Sequence, residues 1–213
     1  MKRRRKAKGE LEFSVDKLKN LDPYGGFLIQ VTYWRPRPGD PDPAHPGERA
    51  MQVIYRQRDS TDPCPCGSGK SFGNCCQPLP YWLPVCLNPD GQEFSLLRPQ
   101  SARFTDVPVD EVYEFLQNDA RLYCTEHNAE RSFWIYQGDP PFTSPAGTFC
   151  FGDFELLADN TLMITALSDT RMELLLELVQ PLNLDTPQLE QYPIPRVDKP
   201  VQDAEGKKRQ HKG

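Results

Sequence analysis

Apolar positions in this chain gather in short runs separated by proline, glycine and charge, and the runs alternate between two periods. Phe27 to Trp34 (FLIQVTYW) and Met51 to Arg56 (MQVIYR) are rich in aromatic and branched side chains and predict strands. Tyr81 to Leu87 (YWLPVCL) and Glu93 to Arg98 (EFSLLR) flank Asn88-Pro89-Asp90-Gly91-Gln92. Asp-Gly between two apolar runs predicts a hairpin, and Pro84 marks an edge or a bulge in its first strand. From Pro108 to about Glu126 the spacing is helical: Val112, Phe115, Leu116 and Asp119 share a face, with Tyr113 and Leu122 near it. Asp110 and Glu111 suit the positive end of that helix dipole. Arg131 to Tyr136 (RSFWIY) returns to the strand pattern.

The C-terminal third carries the clearest pattern. Phe149 to Leu157 and Thr161 to Leu167 predict two strands joined by a turn at Ala158-Asp159-Asn160. Ser168 then caps a helix with Asp169 in its first turn. Met172, Leu175, Leu176 and Val179 fall at i, i+3, i+4 and i+7, one buried face, and Pro181 stops the helix. Such a unit needs a partner surface, for which the strands at 81–98 and 131–136 are the candidates.

These elements predict an α+β fold: a small antiparallel sheet with about two helices, an inserted metal-binding knuckle, and disordered basic termini. The expected division is a basic arm at 1–10, N-terminal strands with a proline-rich loop at 11–61, the knuckle at 62–78, an α+β domain at 79–186, and a proline-rich, basic tail at 187–213. Residues 11–22 suggest an amphipathic turn around Leu11, Val15, Leu18 and Leu21. Five prolines between residues 35 and 49 (Pro36, Pro38, Pro41, Pro43, Pro46) predict an exposed polyproline-type linker.

Composition changes this picture in one respect. Of 213 residues 38% are hydrophobic and 22 are proline, which predicts a modest core with long loops. The net charge of −5 conceals a segregation. Residues 2–8 hold six Lys or Arg and residues 207–212 hold four, so 9–206 carry fifteen bases against thirty acids. An acidic body repels nucleic-acid phosphates, leaving the basic ends as the part suited to RNA or a ribosome. No apolar run approaches the ~20 residues of a membrane helix. The start Met-Lys-Arg-Arg-Arg-Lys has no apolar stretch behind it, and with reduced thiols this points to the cytoplasm.

The chemistry concentrates in Asp-Pro-Cys-Pro-Cys-Gly-Ser-Gly-Lys-Ser-Phe-Gly-Asn-Cys-Cys-Gln, residues 62 to 77. Cys64, Cys66, Cys75 and Cys76 put four thiols within thirteen residues, in a stretch too polar and glycine-rich to bury them as core. Four thiolates at short range suit a closed tetrahedral site for a divalent metal, most often zinc, and soft sulfur argues against magnesium or calcium. Gly67 and Gly69 let the chain curl so that N–H groups face the sulfurs, and Phe72 is placed to shield the site. Two disulfides fit less well: the cysteine total of seven is odd and no export signal is visible. Gly67-Ser68-Gly69-Lys70-Ser71 looks like the end of a P-loop, but the first P-loop glycine position is Cys64 and no apolar strand leads in.

Cys-Pro-Cys-Gly-Ser-Gly-Lys, an aromatic at Phe72, then Cys-Cys resembles the SEC-C motif, known from the C-terminal tail of the translocase ATPase SecA and as a module in small bacterial proteins. The resemblance covers about residues 62–78, and nothing outside it looks like the SecA motor. It implies that Cys64, Cys66, Cys75 and Cys76 are the ligands, with Cys76 where SecA-type tails often have His. It also implies zinc, with iron a possible occupant, and contact with another protein: a translocation, chaperone or ribosome-associated component.

Other chemistry is sparse. Cys124 and His127 have Cys-x-x-His spacing, but a pair alone makes no metal site, and a helix places them on one side by periodicity. Cys86 and Cys150 read as small core residues. His45 and His211 read as solvated. No hydrolase, kinase or dinucleotide fingerprint appears. The expectation is a non-catalytic, metal-binding interaction protein that presents Lys70, Ser71 and Asn74. The alternatives are an enzyme with the knuckle as its targeting module, with a pocket expected near Cys124, His127 or Trp134, or RNA binding through the basic ends.

Overall fold

The computed structural model describes residues 21–35, 48–144 and 147–200. Both basic ends, residues 11–20, the proline-rich stretch at 36–47, His45 and His211 lie outside them. The described chain builds two six-stranded sheets, a two-stranded ribbon, two α-helices and the cysteine knuckle.

The first sheet centres on β1 (Gly26–Arg35), which pairs along its whole length with β2 (Glu48–Gln57), antiparallel and without a bulge. On its other edge β1 meets two short strands in succession. Ile29 and Gln30 pair in parallel with β4 (Val85–Leu87), and Tyr33 and Trp34 pair antiparallel with β10 (Gly147–Phe149). β5 (Phe94–Leu96) closes the expected hairpin with β4, and β9 (Thr143–Ser144) extends the sheet beyond β10. Pro84 separates β4 from β3 (Tyr81–Trp82), which pairs with β14 (Val197–Asp198) in a two-stranded ribbon. A proline cannot donate to a ladder, so one expected strand became two.

The second sheet is antiparallel throughout, in the order β13 (Gln188–Gln191), β6 (Gln100–Phe104), β12 (Thr161–Ala166), β11 (Gly152–Leu157), β8 (Arg131–Tyr136), β7 (Leu122–His127). Strands alternate their side chains between faces. Phe154, Trp134, Ile164 and Ala102 lie opposite one another and point to the helices, joining Val112 and Leu116 of α1 (Val109–Asn118) and Met172, Leu175 and Val179 of α2 (Asp169–Val179) in the larger core. Leu178 is buried with them, while Leu176 is only partly so. Ser168 caps α2 by accepting from the Arg171 N–H, as its sequence position predicts.

The opposite face of the second sheet meets the first. Arg49 of β2 lies 3.3 Å from the Asp153 carboxylate of β11, and Trp34 stacks on Phe133. Arg171 of α2, although buried, reaches back to donate to the carbonyl oxygens of Leu87 and Phe151.

Three expectations are corrected. The first helix stops at Asn118, not near Glu126: the Asp119 carboxylate accepts from the Arg121 N–H and guanidinium, a local turn that competes with further helix, and the residues beyond form β7. The partner of the C-terminal hairpin is β6 together with β8, not the strands at 81–98. The stretch from Pro187, expected as an extended tail, is extended but built in as far as residue 200. β13 pairs with β6, and Val197 is buried against Leu28 and Trp82.

Candidate metal centre

The knuckle is a miniature hairpin. Cys64 N–H donates to the Lys70 carbonyl at 2.7 Å and Phe72 N–H to the Asp62 carbonyl at 2.8 Å, so the two arms run antiparallel. Between them the chain turns on Gly67 and Gly69, with φ of +77° and +73°, a region side chains rarely adopt. A short 3₁₀ turn, Phe72–Asn74, follows, and the N–H groups of Cys75 and Gln77 both donate to the Phe72 carbonyl. That turn presents both adjacent cysteines to one point.

All four sulfurs of Cys64, Cys66, Cys75 and Cys76 lie within 4.8 Å of one another. Cys64 and Cys66 are 3.3 Å apart, Cys66 and Cys75 3.6 Å, Cys75 and Cys76 3.9 Å, and the thiols are free. Four sulfurs at about 2.3 Å from a tetrahedral zinc stand about 3.8 Å from one another, so the spacing fits a four-coordinate ion. Among the described residues this is the cluster of three or more His, Cys, Asp or Glu side chains whose ligand atoms converge. Four protein ligands fill a tetrahedral ion and leave no position for substrate.

The thiols are not equivalent. Burial pushes Cys64 up to about 11. Burial acts the same way on Cys66, but hydrogen bonds from Ser68 and Cys64 outweigh it and bring that thiol down to about 7. Cys76 is raised, first by burial and then by its hydrogen bond and proximity to Cys64. Cys66 is therefore the readiest thiolate of the shifted three, and Ser68, 3.2 Å from the Cys75 sulfur, serves two of the four sulfurs.

The knuckle has its own place in the core. Phe72 is 1% exposed and, with Cys64 and Cys76, joins a cluster with Phe27, Ile29, Val31, Tyr33 and Val85. From the far end of the described chain, the Lys199 ammonium donates to the carbonyl oxygens of Gln77 at 2.8 Å and Cys76 at 3.4 Å and lies 4.8 Å from the Tyr24 ring. Burial lowers this lysine's pKa, while the charges of Cys76 and Asp22 act in the opposite direction. Sequence reading had no signal for Lys199, which sits 122 residues from Gln77 in a segment of ordinary polar composition.

Of the residues expected to face a partner, Lys70 and Asn74 are exposed, while Ser71 is half-buried and accepts from the Asn74 amide. Cys124 and His127 lie on a strand rather than a helix. The Cys124 sulfur is directed at the Glu126 carbonyl, and His127 Nδ1 shares a 2.8 Å hydrogen bond with Ser132 Oγ. Cys86 and Cys150 are buried in strand contacts. A groove of about 920 Å³ lies elsewhere, between α1 and α2, where Glu111, Glu114 and Glu177 surround Phe115, Leu174 and Leu178. No helix among the described residues is long and apolar enough to cross a membrane.

Comparison with known proteins agrees with the geometry. Residues 61–78 match the SEC-C motif family, a segment that includes all four cysteines. Over 78 residues the chain is 32% identical to UPF0225 protein GSU1048 of Geobacter sulfurreducens, an alignment covering 35% of this chain and 46% of that protein. Over 36 residues it is 50% identical to the uncharacterized protein YecA of Escherichia coli and of Shigella flexneri, 16% of each chain. The chain thus spans less than half the length of these relatives, and the likeness belongs to a segment. No solved structure gives a significant match.

Proposed function

We propose that this is a zinc-binding adaptor in which Cys64, Cys66, Cys75 and Cys76 hold one ion and the ion's role is structural. The observation that carries the reading is the convergence of four sulfurs within 4.8 Å at spacings suited to a tetrahedral ion. Iron is the other metal that this donor set accepts. A closed tetrathiolate site supports a non-catalytic role. The ion orders the Gly67–Lys70 turn, whose glycines have open space around them, and so presents Lys70 and Asn74 to a cytoplasmic protein partner, a translocation, chaperone or ribosome-associated component.

The test joins two measurements on reduced protein. Elemental analysis should find one zinc per chain in the native protein and a deficit in Cys→Ser variants at 64, 66, 75 and 76; undiminished metal in all four would overturn the site. Affinity capture with and without chelator should recover a partner that depends on metal. Catalysis is the competing reading, with the groove between α1 and α2 as the place for a substrate; turnover abolished by Glu114→Gln but not by chelation would favour it.

A further inference from the structure

The Lys199 side chain poses a question that the fold alone does not answer. It is only 6% exposed, and among the described residues no carboxylate lies within ion-pair distance of it; the charge of Asp22 acts on it from farther off. Its ammonium donates to two backbone carbonyls, those of Cys76 and Gln77, and lies against the Tyr24 ring. Carbonyl dipoles and a ring face only partly replace the water that a buried cation loses, so a charge held this way is unfavourable unless a negative group is near.

Beyond the distant Asp22 charge, such a group follows from the metal reading, on which this inference rests. Four thiolates on a divalent ion leave two negative charges over, spread on sulfurs that include that of Cys76, whose backbone carbonyl Lys199 already bonds. Cys76 is itself buried, so little water screens the attraction. We infer that Lys199 is the counter-charge of the metal–tetrathiolate centre and that it ties the C-terminal strap to the loaded knuckle. The strap is positioned for this: Val197 pairs with Trp82 and Asp198 with Tyr81, and the Lys199 N–H donates to the Pro80 carbonyl, which anchors the chain up to the lysine. Lys199 is thus a positioning residue that acts through the ligands and stabilises their charged state.

Two variants separate charge from packing. Lys199→Gln keeps N–H donors for the carbonyls and removes the charge; Lys199→Arg keeps the charge. Full-length reduced protein loaded with one equivalent of zinc is mixed with a chromogenic chelator at neutral pH. Lys199→Gln should release zinc about tenfold faster or more, the range in which groups bonded behind metal ligands act, and Lys199→Arg should stay within about threefold of the native rate. In metal-free protein Lys199→Gln should melt no lower than native, because the glutamine amide can still donate to the carbonyls and the buried cation it removes then faces only the more distant charge of Asp22. Equal release from native and Gln variants would overturn the inference. So would a destabilisation of the Gln variant that is the same with and without metal, which is the mark of packing alone. If native protein takes up no zinc while the thiols are reduced, the metal reading fails first and this inference falls with it.

Discussion

The rings of Phe72 and Phe27 meet edge to face, centroids 6.5 Å apart, and this contact roots the knuckle in the first sheet. Phe72 is the large apolar residue of the cysteine loop, and Phe27 begins the inward face of β1. The knuckle therefore does not hang from the fold as a detachable loop. Phe72→Ala should destabilise metal-loaded protein by about 3–5 kcal/mol, the usual cost of emptying a buried aromatic site, as read by denaturant unfolding. A loss below about 1 kcal/mol would mean that the metal alone holds the loop in place.

Chelation should act over a limited distance. A loop this short adds little beyond Phe72, Cys64 and Cys76 to the core, so without an ion hydrogen-exchange protection should fall across residues 61–78. The shared cluster extends the effect to Phe27–Tyr33, whose inward side chains then face a loosened loop. The second sheet and both helices have their own core, so Phe154, Ile164 and Leu175 should keep their protection. Protection lost throughout would make the two cores one cooperative unit.

The sequence was most legible where chemistry or turn residues are dense. Cys64, Cys66, Cys75 and Cys76 stood out because spacing and composition agreed. Ser168, Asp169 and the Met172–Val179 stripe marked α2, and Asp90-Gly91 marked the hairpin, since caps and tight turns depend on local stereochemistry. β6 carries no such signal because Gln100 and Ser101 are buried polar residues, and their burial depends on neighbours far along the chain. Leu122 falls at a position that both a helix and a strand accept, so the sequence pattern does not separate β7 from α1. β13 gave no signal because its four residues are exposed and hold the sheet edge by backbone bonds to β6.

Gly152 tests how tightly α2 sits on the second sheet. A Cβ there would lie 2.3 Å from Leu175 Cδ1 and 2.8 Å from the Thr165 carbonyl oxygen, and the latter, as backbone, cannot swing aside. Gly152→Ala should therefore cost about 1–3 kcal/mol by overpacking, although it adds one methyl group. Leu175→Ala, at a side chain 1% exposed, should cost about 2–5 kcal/mol by leaving a cavity. The double variant should lose less than the sum, because the smaller residue at 175 removes one of the two clashes. Strict additivity would show that the two residues are not coupled.

Thiol reactivity should rank the cysteines by environment. In metal-free, reduced protein Cys66, near 7, is half thiolate at neutral pH, whereas burial pushes Cys150 up to about 12. Iodoacetamide followed by peptide mapping should mark Cys66 first, with a rate that rises through pH 7 and then levels, and should leave Cys150 unmodified until the protein unfolds. The linkage has a definite sign. The lowered Cys66 pKa contributes stability present above its ordinary value of 9.0 and lost as pH falls through about 7. The raised Cys64 pKa acts the other way, contributing stability present below 9.0 and lost as pH rises through about 11. Metal-free protein should thus weaken toward both ends of that window. Bound metal should reduce the alkaline loss, since the Cys64 and Cys76 thiolates then have a cation to face while buried Cys150 does not, and an alkaline loss unchanged by zinc would count against both as ligands.

Substitution at Cys124 or His127 should leave metal content unchanged. The two sit on β7 about a bulge between Cys124 and Glu126, and each has an ordinary partner: the Glu126 carbonyl for the thiol and Ser132 for the imidazole. Tyr113 lies against the His127 ring at 5.0 Å and Trp134 at 5.6 Å from Tyr113, an aromatic packing that accounts for the histidine's place on the sheet. Cys124→Ala removes a half-buried sulfur and should cost about 1 kcal/mol, and His127→Ala, on an exposed position, less than about 0.5 kcal/mol. Metal stoichiometry of each purified variant, measured beside Cys76→Ser, decides the matter. A zinc deficit in the Cys124 or His127 variants comparable with that of Cys76→Ser would require a second ion, and would restore the Cys-x-x-His pair as a site in its own right.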